Sequence, residues 1–190
     1  MKLLRGILEF VIYLAAILIV TYLLVHFVAQ RTEVIGGSME PTLLEDDQLI
    51  ADKISYRFRD PERFEIIVFP YEYKKNTYFI KRVIGLPGET VQIDEAGNIY
   101  IDGEILEEHY GKDVIRDPGR AAEPIVLGED EYFVLGDNRT VSKDSRMPDV
   151  GSIHRSRIVG RAWLRIWPFN RFGLLKNEGL HNDEGAGTEG

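Results

Sequence analysis

One long apolar run stands near the start of the chain, and the rest alternates between short apolar runs and polar residues. Residues 10–29 contain no Asp, Glu, Lys or Arg, and a helix of this length spans about 30 Å, the thickness of a hydrocarbon core. A cleaved secretory signal is the alternative, but its apolar stretch covers only about 7–15 residues and ends in an Ala-x-Ala-like site. The following residues, Ala29-Gln30-Arg31-Thr32-Glu33, contain no such site. The pattern therefore predicts a transmembrane anchor over residues 10–29.

The later apolar runs are short and predict β-strands. They are rich in β-branched and aromatic residues bounded by Gly, Pro, Asp or Asn, and they cover residues 49–51, 66–69, 78–84, 90–93, 98–101 and 132–135. Asp102-Gly103 favours a hairpin, because a type I′ turn needs positive φ at both central residues. Residues 107–124 are polar with Gly and Pro, which indicates a surface excursion. The predicted fold is mostly β.

The flanking charges predict how the chain is arranged about a membrane. Lys2 and Arg5 precede the anchor, while Arg31 follows it among several acidic residues, and basic residues near a helix end are retained in the cytoplasm. We therefore expect a cytoplasmic N-terminus over 1–9, the anchor over 10–29 and one extracytoplasmic domain over 30–175. Residues 176–190 are acidic and Gly-rich, which predicts a disordered tail.

Composition excludes several classes of function. The formal net charge of −8 argues against nucleic acid as a partner, because phosphate binding relies on clustered Lys and Arg. The chain has no cysteine, which removes disulfides and thiolate metal sites. Its four histidines are dispersed and lack HExxH-like spacing. Metal catalysis is therefore not expected.

Ser38 lies in a segment shortly after the anchor, Gly36-Gly37-Ser38-Met39-Glu40-Pro41-Thr42. One interpretation is a flexible turn, since Gly and Pro mark turns wherever they cluster. The other is a serine nucleophile, whose neighbouring glycines let a substrate approach closely and whose amide can face a developing oxyanion. This segment alone leaves both interpretations open.

Lys81 lies within the predicted strand over residues 78–84. A period of two places Phe79, Lys81 and Val83 on one face, so that the lysine would project among apolar neighbours. Burial lowers the pKa of an ammonium, and a neutral lysine can accept a proton from a serine. The alternative is an ordinary lysine on the exposed face of an amphipathic strand.

A third polar segment, residues 136–146, follows the predicted strand over 132–135. Its sequence, Gly-Asp-Asn-Arg-Thr-Val-Ser-Lys-Asp-Ser-Arg, concentrates acids, arginines and hydroxyls in eleven residues. A solvated turn with local hydrogen bonds and surface ion pairs would account for it in isolation.

Together the three segments resemble the motifs of bacterial type I signal peptidases, membrane-bound Ser/Lys proteases that remove signal peptides from exported proteins. The matching runs are Ser-Met-x-Pro-Thr-Leu at 38–43, Lys-Arg-Val-Ile-Gly-Leu-Pro-Gly-Glu at 81–89 and Gly-Asp-Asn-Arg-x-x-Ser-x-Asp-Ser-Arg at 136–146. They occur in the family's order, and the likeness extends from the anchor to about Phe172. A single helix with a compact exported domain is similar to the shorter form common in Gram-positive bacteria.

The resemblance implies roles for individual residues. Ser38 would be the nucleophile and Lys81 the general base, with Ser142 orienting the lysine ammonium. The Ser38 amide would hold the oxyanion, and a second donor is in question, because some relatives have a serine where this chain has Gly36. Structural ion pairs would join Arg82 to Asp137 and Arg146 to Asp144. Pockets for small substrate residues at −1 and −3 would be lined by Val34, Met39, Leu43, Phe79 and Ile80.

The resemblance also implies a fold of two antiparallel sheets, an N-terminal transmembrane helix and no cofactor. The partners would be preprotein signal peptides, bound as a strand beside Lys81, and the lipid bilayer of the plasma membrane. The chain departs from the family's usual Gly-Asp at Phe64-Glu65 and from a common Gly-containing turn at Glu45-Asp46. Trp163, Trp167 and Phe169 are expected either at the membrane interface or in the core of a terminal strand.

Three alternatives compete with this interpretation. A Ser/Lys autoproteolytic repressor would bind DNA, which the apolar anchor and the acidic charge oppose. A catalytically inactive relative serving as a chaperone or pilus-assembly factor should lack the serine or the lysine, and this chain keeps both. A receptor or scaffold on one anchor would not require the three motifs together.

Overall fold

The N-terminal apolar run folds as one helix, α1, which spans Lys2–Phe27. The structure is a computed structural model, and it describes residues 2–27, 29–74 and 77–175. Within α1, the window Arg5–Tyr22 has a mean hydropathy of 1.8 and is exposed throughout, so that by length and composition it could cross a membrane. The helix begins earlier than the predicted anchor. Ala29, predicted as its last residue, instead begins a strand that pairs with Asp52.

The larger of the two sheets has eight strands, and all of their pairings are antiparallel. The strands are β1 (Ala29–Glu33), β2 (Gln48–Asp52), β3 (Ile66–Pro70), β4 (Tyr78–Gly85), β9 (Glu131–Leu135), β10 (Ile153–His154), β11 (Gly160–Trp167) and β12 (Gly173–Leu174). Their order in the sheet is β1-β2-β11-β3-β4-β9-β10, and β12 pairs with β11.

The smaller sheet has four strands, which are β5 (Thr90–Ile93), β6 (Ile99–Ile101), β7 (Glu104–Ile105) and β8 (Ile125–Val126). They are also antiparallel and lie in the order β7-β6-β5-β8. The predicted hairpin joins β6 to β7, and Asp102 and Gly103 both have positive φ, 52° and 86°. The two sheets confirm the prediction of a mostly β fold with antiparallel pairing.

Buried side chains of both sheets form one shared core cluster, in which Ile84 of β4 and Phe133 of β9 pack with Val91 of β5. The excursion over residues 107–124 is largely exposed, but Ile115 and Ala121 are buried in this same cluster. The prediction of a purely surface segment is therefore wrong at these two residues, whose apolar side chains anchor the excursion to the core. The predicted tail over 176–190 lies outside the described residues.

Five of the described strands are not predicted from the sequence: β8, β10 and β12 have only two residues each, whereas β1 and β11 are longer. β1 is polar, Ala-Gln-Arg-Thr-Glu, and it forms because its backbone pairs along the whole length of β2. β11 carries Arg161 and Arg165, whose guanidinium groups pair with the buried carboxylates of Glu65 and Asp47. Backbone pairing and buried ion pairs stabilise these strands where apolar alternation does not.

The pairing of β4 leaves part of one edge open. β3 pairs with β4 over Tyr78–Arg82, whereas β9 pairs with β4 only from Arg82 to Gly85. Among the described residues, no strand pairs with Tyr78–Lys81 on the β9 side. The strand that carries Lys81 therefore presents free backbone groups beside it.

Candidate active site

The structure brings Ser38 and Lys81 together. Ser38 lies in the turn that follows β1, and Lys81 lies in the middle of β4. The Lys81 Nζ donates a hydrogen bond of 2.8 Å to the Ser38 Oγ and one of 3.0 Å to the carbonyl of Ile80. A proton can therefore pass directly between the two side chains.

Burial changes the acidity of Lys81. The side chain is only 3% exposed, and its Nζ lies 5.0 Å from the centroid of the Phe79 ring. Desolvation lowers the pKa of Lys81 to about 8, although Asp144 and Asp137 act in the opposite direction. A substantial fraction of the lysine is therefore neutral near pH 8.

The pH profile of cleavage should follow this titration. If neutral Lys81 is the base, kcat/KM should rise as pH increases and level off above about 8. Lys81→Arg should be inactive at every pH, because a guanidinium stays protonated. Initial rates on a preprotein from pH 5 to 10 measure both effects, and a flat profile or an active arginine variant would contradict a lysine base.

Ser142 lies close to the pair, but its hydroxyl is not bonded to Lys81. Among the described residues, the Ser142 Oγ is buried and has no hydrogen-bond partner. Lys81 donates instead to Ser38 and to Ile80. The orienting role of Ser142 therefore stays a prediction. The structure places its buried hydroxyl beside the turn that carries Ser38.

Gly136 explains how Ser38 and Ser142 come so close, and sequence reasoning missed it. A Cβ at Gly136 would lie 2.1 Å from the Ser142 Oγ and 2.4 Å from the Ser38 carbonyl oxygen. Atoms never approach so closely, so only glycine fits between the two serines. The neighbouring Asn138 amide also holds the Ser38 carbonyl, at 3.1 Å. The sequence offered two signals, a glycine directly after a strand, where it usually marks a turn, and its place as the first residue of the motif over 136–146, but neither indicated this close approach.

The backbone around Ser38 leaves room for an oxyanion. In the described part of the chain, the Ser38 amide donates to no backbone carbonyl. Gly36 has a φ of +78°, and a Cβ there would meet nothing within 4 Å. The amide of Ser38 is thus available as a donor, whereas Gly36 supplies no side-chain donor.

Arg82 and Asp137 form a buried, two-point ion pair behind the Ser38 turn. The guanidinium Nε and one terminal nitrogen of Arg82 donate to the two oxygens of Asp137 at 2.8 and 2.6 Å. Arg82 also donates to the Phe64 carbonyl at 2.9 Å, and the Thr42 hydroxyl donates to Asp137 at 2.5 Å. The pair therefore connects β4, the turn after β9 and the segment that carries Ser38.

Asp144 and Arg146 hold the polar segment 136–146 in shape. The Arg146 guanidinium donates to the two Asp144 oxygens at 2.8 and 2.9 Å, and both side chains are buried. Asp144 also accepts from the Gly136 amide at 3.1 Å, while Arg146 donates to the Arg139 carbonyl at 2.8 Å. Residues 136–146 are therefore not a solvated turn but a loop held by hydrogen bonds and an ion pair between its own residues.

A cleft of about 670 Å³ opens beside Ser38 and Lys81. One wall runs from β1 to the Ser38 turn, and the other is the first half of β4 together with residues just before it. Four of the predicted pocket residues line the cleft, namely Val34, Met39, Phe79 and Ile80. Leu43 does not, because its side chain is fully buried in the adjoining core cluster.

A serine hydroxyl bonded to a buried amine, in a cleft beside an open strand edge, is the arrangement of a serine hydrolase with a lysine base. Comparison with known proteins agrees with this class. The family model described as signal peptidase, peptidase S26, matches residues 7–167. The chain belongs to this family, and it is a signal peptidase I, an S26 serine peptidase.

Individual relatives carry the same name. A probable signal peptidase I-2 of Synechocystis is 45% identical over 157 residues, which cover 80% of this chain and 69% of the relative. Signal peptidase IB of Staphylococcus aureus is 32% identical over 183 residues, covering 88% of this chain and 93% of the relative. A crystal structure of a signal peptidase I from Enterococcus faecalis is 32% identical, with a TM-score of 0.45, covering 54% of this chain and 97% of that one.

Proposed function

We propose that this signal peptidase is a membrane-anchored endopeptidase that uses a Ser38/Lys81 dyad to cleave exported preproteins after small residues. The observation that carries the proposal is the 2.8 Å contact between the Ser38 Oγ and the Nζ of a lysine that is 3% exposed. A paired serine and lysine argue against the alternative of a catalytically inactive chaperone or pilus-assembly factor, and the similar proteins give that alternative no support.

The dyad supports a two-step acyl transfer. Neutral Lys81 takes the Ser38 proton while the Oγ attacks the scissile carbonyl, and the Ser38 amide stabilises the oxyanion. The resulting ammonium gives its proton to the leaving amine as the C–N bond breaks, which releases the mature chain. Lys81 then takes a proton from a water that attacks the ester, and it gives that proton to the Ser38 Oγ as the acyl C–O bond breaks, which releases the signal peptide with its new carboxylate. Ser38 and Lys81 return to their starting states.

The open edge of β4 supports binding of the substrate as an extended strand. Backbone groups of Tyr78–Lys81 face the cleft side without a partner strand among the described residues, and peptides commonly add a strand to such an edge. Near the dyad the cleft is lined by Val34, Met39 and Ile80, which are buried and therefore offer little apolar surface to a substrate side chain. Shallow apolar pockets favour Ala-sized residues at −1 and −3.

The helix supports a single-pass anchor in the plasma membrane. Lys2 and Arg5 at its start favour a cytoplasmic N-terminus, which places residues 30–175 on the extracytoplasmic side. Ser38 follows the last residue of α1 by eleven positions, at most about 40 Å of extended chain. The active site then works close to the bilayer surface, where signal peptides emerge.

Cleavage of a labelled preprotein by the detergent-solubilised chain tests the proposal. We expect one cut directly after the Ala-x-Ala boundary, identified by mass spectrometry of the released mature protein. Substituting the −1 alanine of the preprotein by a bulky residue should prevent that cut, because the pockets are shallow. An intact preprotein after prolonged incubation, or cleavage elsewhere, would contradict the proposed function.

Exposed aromatic residues near the end of the domain predict a second membrane contact. Trp167 is 45% exposed and packs edge-on against Phe169, which is 75% exposed, at 4.9 Å between ring centroids. Trp163, also partly exposed, is not a core residue. We expect a soluble form lacking residues 1–28 to bind lipid vesicles, and Trp167→Ala to weaken that binding several-fold.

Sedimentation with vesicles measures this contact. Tyr73→Ala is the matched control, because Tyr73 is an exposed aromatic residue, more exposed than Trp167, in a different part of the domain. Equal partitioning of the Trp167→Ala and unsubstituted forms would show that this aromatic surface makes no membrane contact.

A further inference from the structure

We propose that residues 108–112 act as a brace that positions the nucleophile, and that Tyr110 is its main positioning residue. The proposal rests on the function assigned to Ser38 and Lys81 above. The brace lies in the polar excursion that the sequence indicated as peripheral, yet it touches residues of all three motif segments. These contacts involve Glu40, Arg82, Asp137 and Arg139.

Tyr110 covers the buried Arg82–Asp137 pair. Its ring centroid lies 3.6 Å from the Arg82 Cζ and 5.2 Å from the Phe64 ring centroid. At this distance the ring stacks on the flat guanidinium, which is a favourable arrangement for arginine and excludes water from one face. Arg82 is thereby held in the orientation that bonds Asp137 at two points.

The flanking residues of the brace hold the turn over residues 136–139 and the Ser38 segment. The Lys112 amide donates to the Asp137 carbonyl at 2.8 Å, and the Lys112 Nζ pairs with the Glu40 carboxylate at 2.8 Å. Glu108 forms an ion pair with Arg139, also at 2.8 Å. Gly111 leaves room for that arginine, because a Cβ there would lie 3.2 Å from the Arg139 Cζ.

Two short series of hydrogen bonds connect the brace to the Ser38 segment. Asp137, held by Arg82 and by the brace, accepts from Thr42, four residues after the nucleophile. The adjacent Asn138 amide bonds the Ser38 carbonyl at 3.1 Å. None of the residues contacted by the brace lines the cleft. The brace should therefore influence the placement of the Ser38 Oγ, and hence kcat, without changing substrate binding.

Substitution of Tyr110 tests this role through the kcat–KM split. On the full chain with a preprotein substrate, Tyr110→Leu should lower kcat about tenfold and leave KM within about twofold, because a small displacement of a nucleophile is costly. Tyr110→Phe keeps the ring over Arg82 and should retain at least about half of kcat. A wild-type kcat in Tyr110→Leu, or a change in KM alone, would contradict the proposed positioning role of Tyr110.

Ile115→Ala is the matched control for stability. Ile115 is buried in the core cluster of the same excursion and lies outside the brace, so Ile115→Ala should lower the melting temperature while kcat stays within about twofold. An equal fall in kcat would show that the excursion matters only for folding. A wild-type chain that cleaves nothing would overturn the proposed function and the proposed brace together. If the wild-type chain cleaves normally, the results with the variants test the brace alone.

A charge exchange on the surface gives a second test that does not disturb the core. Lys112→Glu places a carboxylate against Glu40 and should lower kcat about two- to threefold, since exposed ion pairs are weak. The double variant Glu40→Lys with Lys112→Glu restores opposite charges and should recover most of that loss. If kcat of the double variant does not recover although both variants are folded, Lys112 does not contribute to the brace through its ion pair with Glu40.

Discussion

Replacing Ser38 with alanine is expected to abolish preprotein cleavage, lowering kcat at least about 10³-fold while the protein stays folded. The hydroxyl that bonds Lys81 at 2.8 Å is then absent, so that Lys81 has no serine hydroxyl to activate. Lys81→Met removes the proposed base at similar side-chain length and should have an effect of the same size. The double variant should be no worse than either single one, because the two groups act as a unit.

Circular dichroism and thermal melting separate this effect from misfolding. Ser152→Ala, at a serine outside the site, is the control and should cleave normally. A folded Ser38→Ala or Lys81→Met protein that still turns over preprotein would rule out the dyad.

The second large fall in kcat is expected from a substitution at Gly136, a residue that has no side chain to take part in the chemistry. Gly136→Ala would place a methyl group 2.4 Å from the Ser38 carbonyl oxygen and 2.1 Å from the Ser142 Oγ. Since one of these contacts is with the backbone of Ser38, the proposed nucleophile, rotation of a side chain cannot relieve it. Ser38 must move relative to Lys81, and a displacement near 1 Å costs about 10²-fold in rate. We expect kcat to fall by about that factor.

Gly173→Ala is the control for this experiment, because a Cβ at Gly173 meets nothing within 4 Å. It should leave both kcat and the melting temperature unchanged. If Gly136→Ala folds and cleaves at the wild-type rate, the tight fit between the two serines is not needed for catalysis.

Much of this architecture is predictable from the sequence, because the informative residues act over short distances along the chain. The strands β3, β4 and β5 have apolar runs that identify them directly. The alternation around Lys81 predicts its apolar surroundings, and the structure shows that side chain buried and near Phe79. The Asp102-Gly103 turn is similarly encoded by local backbone preference.

The features that the sequence does not predict depend on partners distant along the chain. β1 has no apolar alternation, and only pairing with β2 makes it a strand. The need for glycine at position 136 arises from the close approach of Ser38 and Ser142, which lie in different segments. Tyr110 resembles any aromatic residue in a polar loop until Arg82 is placed 3.6 Å from its ring. Such constraints have no local pattern.

The incomplete pairing of β4 has a consequence for which proteins escape cleavage. A chain that enters this edge must offer several consecutive residues with free backbone groups, in extended form. Residues inside a folded domain have already committed those groups to their own helices and sheets. With the specificity proposed above, the enzyme could share a compartment with many mature proteins that contain Ala-x-Ala by chance, because the conformation of those proteins, rather than their composition, would keep them from Ser38.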